Sequence, residues 1–234
     1  MKKKFPKISI IVPILNEADY IGKLLSCLQN KISPEHVEEI LVIDGGSKDG
    51  SLKIAEEYGA TLVHSAKGRA KQMNLGAQMA KAEILYFLHA DTLPPKNFVP
   101  HILEAVKGGF QAGCFQMRFD SSSRFLKFFA WFTRINHQIC RGGDQSLFVT
   151  KKLFQNSEGF NEDYKIYEDN EFIGRLYKKT KFKVLPLQVK TSARRYEKVG
   201  AIRLQYHFGV IHLKNYLGAG PDQLYDYYKR KIPI

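Results

Sequence analysis

The chain has 234 residues, 44% of them hydrophobic and 25% charged, a composition typical of a soluble globular protein that can bury a core. Its 36 Lys and Arg against 23 Asp and Glu give a net charge of +13, which favours an anionic partner: phosphate-bearing small molecules, an anionic membrane surface or nucleic acid. Cys27, Cys114 and Cys140 form no C-x-x-C pair, which argues against a disulfide framework or zinc knuckle and is compatible with a reducing cytoplasm.

The amino-terminal segment MKKKFPKISIIVPIL imitates a secretory signal, because the basic run Lys2–Lys4 precedes an apolar stretch. Pro6 and Pro13 interrupt that stretch and no small-residue cleavage site follows, so we interpret it as a first strand. No uninterrupted apolar stretch approaches about 18 residues, so the sequence predicts no transmembrane span. We therefore expect a cytoplasmic protein, with peripheral contact to the inner face of a membrane left open.

Strands and helices alternate through the first half of the chain. Buried strands are predicted in four apolar segments: KISIIVPI, EEILVIDGG, ATLVHS and AEILYFLHAD. Helices are predicted in the three segments between them: ADYIGKLLSCLQN, KDGSLKIAEEYG and GRAKQMNLGAQMAKA. This alternation predicts a parallel sheet with right-handed crossovers, in which ligands bind at the carboxyl ends of the strands.

The second half of the chain is less regular. Further strands are predicted in AGCFQMRFD, GGDQSLFVT and FKVLPLQV. Helices are predicted in SRFLKFFAWFTRINHQI, in YEDNEFIGRLYKKT and between Ala201 and Lys229. No linker rich in Pro, Gly or Ser and no internal repeat interrupts the chain, so we expect residues 1–234 to form one domain.

Polar residues and glycines follow each of the first four predicted strands. They are Asn16 and Glu17 after the first, Asp44, Gly45, Gly46 and Ser47 after the second, Lys67, Gly68 and Arg69 after the third, and His89 and Asp91 after the fourth. Because the carboxyl ends of parallel strands meet at one edge of a sheet, we expect these groups to lie close together.

Each of these groups also has a simpler interpretation. Asp44 can accept hydrogen bonds from the sugar or base of a nucleotide, or it can belong to an ordinary Asp-Gly turn. Arg69, with Lys67 or Lys71, can bind a diphosphate, or these cations can lie on a solvated helix face. Asp91 can hold Mg²⁺ or Mn²⁺ beside that diphosphate, or it can cap the turn that follows. The sequence contains neither a G-x-x-x-x-G-K-[ST] loop nor a G-x-G-x-x-G after the first strand.

The order of motifs resembles the donor half of a family 2 glycosyltransferase with the GT-A fold. The pattern P-x-x-N-E begins at Pro13, a D-G-S-x-D-x-S-like stretch begins at Asp44, and HAD stands where the family has D-x-D. The resemblance covers residues 7–95 and continues through RGGDQSLFVTKKLFQNSEGFNEDYKIYEDNEFIGRL. More narrowly, GRAKQMN, FLHADT, GDQ and TSARRYE resemble the small soluble branch labelled arsenosugar-biosynthesis or radical-SAM/selenodomain-associated glycosyltransferases.

The resemblance implies an α/β fold of GT-A type, a single domain with a mostly parallel central sheet flanked by helices. A Rossmann-like nucleotide-sugar donor half would span about residues 7–110, and an irregular acceptor half with C-terminal helices would span about residues 111–234. The donor half would bind UDP or a similar nucleotide sugar, and a divalent metal, Mn²⁺ or Mg²⁺, would be the cofactor.

The resemblance also implies roles for individual residues. Around the nucleoside, sugar and diphosphate of the donor it places Pro13, Asn16, Glu17, Asp44, Gly45, Ser47, Arg69, Gln72, Ala90 and Asp91. Lys67 joins this set because it is a cation that follows the third predicted strand. Asp91 would bind the metal, Asp144 would line the sugar pocket, and Asp169, with Glu168 beside it, would be the general base. Arg194 and Arg195 occupy the place of a basic or aromatic motif that closes over the diphosphate, although a pair of surface arginines would look the same.

His89 departs from the family pattern, because it replaces the first acid of D-x-D. A neutral imidazole is a poorer ligand than a carboxylate for Mg²⁺ but is acceptable to Mn²⁺. His89 is therefore a metal-ligand candidate. It could instead donate a hydrogen bond to the diphosphate or ribose, or serve as an ordinary histidine at a strand end.

The predicted activity is an inverting transfer of a sugar to a hydroxyl group of a small-molecule or lipid-linked acceptor. A nucleotidyltransferase is the alternative enzyme, although the Gly-rich loop expected after its first strand is absent. A nucleic-acid-binding protein would not need four acids at one sheet edge, so we expect no nucleic acid partner. The aromatic and basic segments SRFLKFFAWFTRI and 201–229 could hold the acceptor, rest on an anionic bilayer, pack in the core or form a homo-oligomer contact.

Overall fold

The computed structural model describes residues 6–232, and the basic run Lys2–Lys4 lies outside the described residues. Its described strands form one sheet of eight: β1 (Ile8–Ile14), β2 (Val37–Asp44), β3 (Thr61–His64), β4 (Ile84–Phe87), β5 (Thr92–Leu93), β6 (Ala112–Phe119), β7 (Leu147–Thr150) and β8 (Phe182–Thr191). The strand order is β3-β2-β1-β4-β7-β6-β8-β5. Strands β3, β2, β1 and β4 are parallel, as predicted, whereas β7 runs antiparallel to both of its neighbours.

Ten α-helices are present in residues 6–232. They are α1 (Ala18–Gln29), α2 (Ser51–Glu57), α3 (Arg69–Met79), α4 (Phe98–Lys107), α5 (Arg124–Trp131), α6 (Lys151–Asn156), α7 (Glu168–Lys179), α8 (Arg194–Val199), α9 (Ala201–Tyr216) and α10 (Pro221–Lys231). Short 3-10 helices cover residues 132–134, 138–140 and 143–145. None of the described helices combines the length and the apolarity needed to cross a membrane.

Both faces of the sheet are covered by helices, which explains the nearly continuous apolar runs of its strands. On one face, side chains of β1 such as Ile10 and Val12 pack with α1 and α4. On the other face, Ile11 packs with α3, α6 and α7. The parallel edge formed by β3, β2, β1 and β4 is therefore held rigidly, and its carboxyl end positions the loops described below.

The aromatic segment after β6 folds differently from the prediction. The sequence predicted one helix through SRFLKFFAWFTRINHQI, but α5 ends at Trp131 and the chain continues in 3-10 turns. The buried guanidinium of Arg141 accounts for the break, because it donates to the carbonyl oxygens of Thr133 at 2.8 Å and Ile135 at 2.5 Å. These bonds satisfy carbonyl groups that a continuous helix would have used internally.

The C-terminal segment forms the three helices α8, α9 and α10 rather than one continuous helix. Gly218, with φ of 91°, lies in the turn between α9 and α10. Leu204 and Ile211 of α9 pack against Leu224 and Ile232 in a separate small core. The helical prediction for residues 201–229 is therefore confirmed except at this turn.

Candidate active site

The loops after β1 and β2 are locked to each other by hydrogen bonds. The Lys48 backbone N–H donates to Asn16 Oδ1 at 2.8 Å, and the Asn16 N–H donates to Ser47 Oγ at 2.9 Å. The Glu17 N–H donates to Ser51 Oγ at 2.8 Å. Asn16 has a φ of 56°, a conformation that Asn tolerates better than most residues. The predicted pairing of these two strand ends at one edge is confirmed.

Asp44 is the buried acid at the end of β2, with 1% of its surface exposed. Its Oδ2 accepts the Gly46 N–H at 3.0 Å, and its Oδ1 accepts the Ser47 N–H at 3.0 Å. Burial alone would raise the pKa of Asp44, but hydrogen bonds from Ser47 and Gly46 outweigh it and hold this pKa below its ordinary value. Asp44 is therefore a fixed anion.

Gln72 of α3 supports these two loops from beneath. Its Nε2 donates to the carbonyl oxygens of Ile14 and Ile43, each at 2.7 Å, and the side chain is buried. A Cβ at Gly45 would lie 3.1 Å from this amide, so glycine allows the close approach. The amide ties the ends of β1 and β2 together, while its contact with the ribose or diphosphate stays a prediction.

Arg194 joins the end of β1 to the end of β4. Its Nη2 lies 2.7 Å from Glu17 Oε1 and 3.1 Å from Asp91 Oδ2. The guanidinium stacks on the ring of Tyr20 at 4.3 Å from the centroid, a contact that could not be expected from the motifs alone. Burial would lower the pKa of Arg194, but the two carboxylates raise it, so the side chain is a permanent cation between them.

Arg195 points away from this group toward the C-terminal helices. Its Nη2 donates to the Tyr228 hydroxyl at 2.5 Å, and its guanidinium lies over the ring of Phe208. Only Arg194 of the predicted pair reaches the ends of the parallel strands in this way. The donor contact proposed for Arg195 stays a prediction.

A second group of acids lies where α7 begins. Glu168 and Asp169 are both buried, as few carboxylates are. Arg69, at the start of α3, makes an ion pair with Glu168 Oε1, whereas Glu168 Oε2 has no hydrogen-bond partner among the described residues. Burial would lower the pKa of Arg69, but the charges of Glu168, Asp169 and Asp144 raise it.

The pKa of the Asp169 carboxyl is shifted by its surroundings. Burial and the negative charge of Glu168 raise its pKa to about 6, although His89 and Arg69 act in the opposite direction. His89 Nε2 lies 3.7 Å from Asp169 Oδ2, and His89 Nδ1 lies 3.9 Å from Asp144 Oδ1. The imidazole thus links the loop after β4 to acids of the second half of the chain.

Gly143 closes one side of this acid group, a role that the sequence reasoning missed. A Cβ built on Gly143 would lie 2.1 Å from Asp169 Oδ2 and 2.9 Å from His89 Cε1, so no other residue fits. The signal available in the sequence was the glycine pair directly before Asp144. The Asp144 side chain is half exposed, and its place in a sugar pocket stays a prediction.

Three further residues that were predicted to contact the donor make no contact within residues 6–232 that points to a ligand. Pro13 lies buried within β1, Ala90 is buried just after β4, and Lys67 is exposed in the loop before α3. The roles of these three residues in donor binding stay predictions.

A divalent metal was predicted at Asp91 and His89. Within residues 6–232, no three His, Cys, Asp or Glu side chains are arranged to hold a metal by themselves. Asp91 Oδ2 faces Arg194, while Oδ1 has only a 3.5 Å contact with the Thr92 hydroxyl. One hard carboxylate oxygen suits Mn²⁺ or Mg²⁺ when diphosphate oxygens supply further ligands. Both nitrogens of His89 instead face carboxylates of the acid group.

The family follows from the comparison of sequences. Residues 9–185 match the model of glycosyl transferase family 2. The chain belongs to this family. Glycosyltransferase AglE of Haloferax volcanii is 28% identical over 115 residues, which cover 46% of this chain and 38% of that protein. The matched part of this family 2 chain thus spans less than half of that relative's own length.

Solved structures confirm the GT-A-type α/β fold. Mannosyltransferase PcManGT from Pyrobaculum calidifontis, in complex with GDP-Man and Mn²⁺, superposes with a TM-score of 0.70 at 20% identity, covering 97% of this chain and 70% of that chain. TarS of Staphylococcus aureus, in complex with UDP-GlcNAc, superposes with a TM-score of 0.66 at 21% identity, covering 80% of this chain and 58% of that chain. At such identities the likeness concerns the fold.

Proposed function

We propose that the protein is an inverting glycosyltransferase that moves a sugar from a nucleotide diphosphate donor, with UDP-sugars as the first choice, to an acceptor hydroxyl. The observation that carries the proposal is Asp169, a buried carboxyl whose pKa is raised to about 6. A carboxylate with a pKa near neutrality suits the role of general base. It faces His89, directly after the fourth strand of the edge that the family uses for its donor.

The interlocked loops after β1 and β2 form the proposed nucleoside site. Asn16, Asp44 and Ser47 are held by hydrogen bonds before any ligand binds, so little ordering is required on binding. The buried Asp44 anion and the backbone around Gly45 would recognise the nucleoside. Residues of about 7–110 would form this donor half, and about 111–234 the acceptor half.

Arg69 and Asp91 form the proposed diphosphate site. Arg69 keeps 37% of its side chain exposed while one nitrogen pairs with Glu168, so its other nitrogens can reach the leaving diphosphate. Asp91 would hold the divalent metal through its oxygen that does not face Arg194. When bound, that metal would offset the charge that develops on the departing diphosphate.

In the proposed reaction Asp169 takes the proton from the acceptor hydroxyl. The acceptor oxygen bonds to the anomeric carbon as the bond from that carbon to the diphosphate oxygen breaks, and the nucleoside diphosphate leaves. Attack from the face opposite the leaving group inverts the configuration. Asp144, half exposed beside His89, lines the sugar pocket, and Glu168 fixes Arg69.

The acceptor is proposed to be a hydroxyl group of a small molecule or of a lipid-linked compound. The chain is further proposed to belong to the branch of the family labelled arsenosugar-biosynthesis or radical-SAM/selenodomain-associated glycosyltransferases. Arg194 supports the branch assignment, because its motif TSARRYE brings a guanidinium between Glu17 and Asp91. The free cysteines Cys27, Cys114 and Cys140 support the proposal that the protein is located in a reducing cytoplasm.

A donor screen tests the proposal. The purified chain is incubated with UDP-, GDP- and dTDP-sugars, with Mn²⁺ or with chelator, and release of the nucleoside diphosphate is measured. We expect release from one nucleotide class, dependent on the metal, and reduced about 100-fold or more in Asp91→Asn. Asp19→Asn, an exposed acid on α1, is the matched control. Equal release by Asp91→Asn, or no release from any donor, would reject the proposal.

A further inference from the structure

A cationic groove lies between α5 and the strands β6 and β8. It encloses about 650 Å³, and its lining includes Arg118, Lys127, Trp131, Arg134 and Lys190. None of its lining residues belongs to the acid group or to the nucleoside loops described above. The established family and the proposed function therefore leave this groove without a role.

The positive charge of the groove is largely uncompensated. Lys190 makes an ion pair with Asp120 at 2.7 Å, but within residues 6–232 Arg118, Lys127 and Arg134 have no carboxylate within 4.0 Å. The whole stretch 121–143 contains no Asp or Glu. Three cations without carboxylate partners around one groove favour a ligand that brings several negative charges.

Exposed apolar side chains lie on α5, whose Trp131 lines the groove, and in the segment just after that helix. Phe128 and Trp131 on the outer face of α5 are 59% and 51% exposed, and Ile135 and Ile139 beyond the helix are 42% and 67% exposed. The opposite face of α5 is anchored by Leu126, so the aromatic face is turned outward by the fold. Large apolar side chains grouped in this way mark an interaction surface.

Helix α9, which α5 contacts, continues the apolar character. Its exposed large side chains are Ile202, Tyr206, Leu213 and Tyr216, whose spacings of four, seven and three residues place them on one side of the helix. Its opposite side packs against α10 through Leu204 and Ile211. A helix that is apolar on its covered side and on its outer side is expected to have a second partner.

We infer that the face formed by the groove, the outer side of α5 and residues 135–139 docks on an anionic lipid bilayer. Lipid phosphates would lie against Arg118, Lys127 and Arg134, while Phe128 and Trp131 enter the interfacial layer. A second copy fits less well, because each chain carries +13 and would bring like charges together. Nucleic acid also fits less well, because bases could stack only on Phe128 and Trp131 and would leave the exposed Ile135 and Ile139 without an apolar partner.

Trp131 provides a local probe, since it is the single tryptophan of the chain. Its fluorescence is recorded with the full chain and vesicles containing about 30% phosphatidylglycerol, an anionic lipid that gives the bilayer a negative surface potential. We expect a blue shift with these vesicles and none with phosphatidylcholine alone. Co-sedimentation with the same vesicles measures the partition constant. Absence of both signals with the anionic vesicles would overturn the inference.

Two double substitutions separate charge from apolar insertion. Arg118→Gln with Arg134→Gln is expected to weaken partition by roughly 30-fold, and Phe128→Ser with Ile135→Ser by roughly tenfold or more. Lys53→Gln with Lys152→Gln removes the same charge from exposed positions on α2 and α6 and is expected to retain most of the binding. Circular dichroism confirms that each variant is folded.

Two outcomes would assign the face to another occupant and overturn the inference. One is a dimer in sedimentation equilibrium that Phe128→Ser with Ile135→Ser converts to a monomer, with Trp131 emission already shifted in the free protein. The other is binding of a single-stranded oligonucleotide that quenches Trp131 while vesicles have no effect. Equal loss in the groove variant and in the control would show that only net charge acts, which also overturns the inference.

Discussion

Two buried aspartates in this chain have opposite environments. Asp44 is 1% exposed and its two carboxylate oxygens accept hydrogen bonds from backbone N–H groups. Asp169 is 8% exposed, has two like charges nearby, and faces His89 only at 3.7 Å. The pKa of Asp44 is held below its ordinary value, whereas the pKa of Asp169 is raised to about 6.

The contrast separates binding from chemistry in the proposed enzyme. A carboxylate with satisfied hydrogen bonds keeps its charge and geometry, which suits recognition of a nucleoside. Burial and neighbouring acids destabilise the ionised form of a carboxylate, so its affinity for a proton rises, which suits a general base. The donor loops would thus be preorganised, while unfavourable electrostatics would be concentrated where the acceptor reacts.

Asp169→Asn tests the reactive side of the comparison and has the largest expected effect. Sugar transfer is expected to fall by a factor on the order of 1000, because an amide cannot take the acceptor proton. Donor binding, measured by calorimetry with a UDP-sugar and Mn²⁺, is expected to remain. Asp163→Asn, an exposed acid just before α7, serves as the control. Transfer at the wild-type rate would remove Asp169 from the mechanism.

The same variant has an expected effect on stability. The pKa of Asp169 is raised in the folded chain from its ordinary 3.8 to about 6, so the folded state binds a proton more tightly than the unfolded state. This carboxyl therefore stabilises the fold at low pH, and that contribution is lost as the pH rises through about 6. Asp169→Asn is expected to melt a few degrees higher than the wild type at pH ~8 but not at pH ~4. A lower melting temperature at the higher pH would contradict the assigned environment.

Asp44→Asn tests the binding side and has an intermediate expected effect. An amide retains one oxygen, so one of the backbone N–H groups of Gly46 and Ser47 loses its acceptor. We expect the free energy of unfolding to fall by about 1–3 kcal/mol and UDP affinity to fall about tenfold. Urea denaturation and calorimetry measure the two quantities, with Asp19→Asn as the matched exposed control. Unchanged UDP affinity would show that Asp44 only supports its turn.

The pH dependence of transfer gives the smallest expected effect. Since a base acts in its ionised form, kcat/KM is expected to fall as the pH drops through about 6. Asp144 raises the pKa of Asp169 and His89 lowers it, so Asp144→Asn should move this acid limb to lower pH and His89→Gln should move it to higher pH. Shifts in the same direction for both variants would show that the limb belongs to another group.

The parallel edge of the sheet was predictable because its signals are local. The strand from Ile84 to Phe87 is a run of apolar residues, and the polar residues that follow it, His89 and Asp91, come at once in the sequence. Parallel strands bring such positions to one edge whatever their separation in the chain. The pairing of the loops that contain Asn16 and Ser47 was predicted in the same way, and the hydrogen bond between these two residues confirms it.

Other features depend on contacts between distant segments. In the sequence, Gln72 looks like an ordinary polar residue on a helix. Its structural role depends on the fold, which brings the carbonyl oxygens of Ile14 and Ile43 to its side-chain amide. Arg194 and Arg195 are adjacent in sequence, but neighbouring residues on a helix point in different directions, so only Arg194 reaches Asp91. The end of α5 depends on Arg141, which lies beyond the predicted helix and binds back to it.

The most direct test is a titration of the two carboxyl groups by NMR. The chain is labelled with ¹³C at the aspartate side-chain carboxyl, and Asp44→Asn and Asp169→Asn assign the two signals. Asp169 is expected to titrate near pH 6, whereas Asp44 is expected to titrate below its ordinary value of 3.8. If Asp169 titrates at its ordinary value or lower, the buried acid is not poised to accept a proton, and the proposed division between binding and chemistry is wrong.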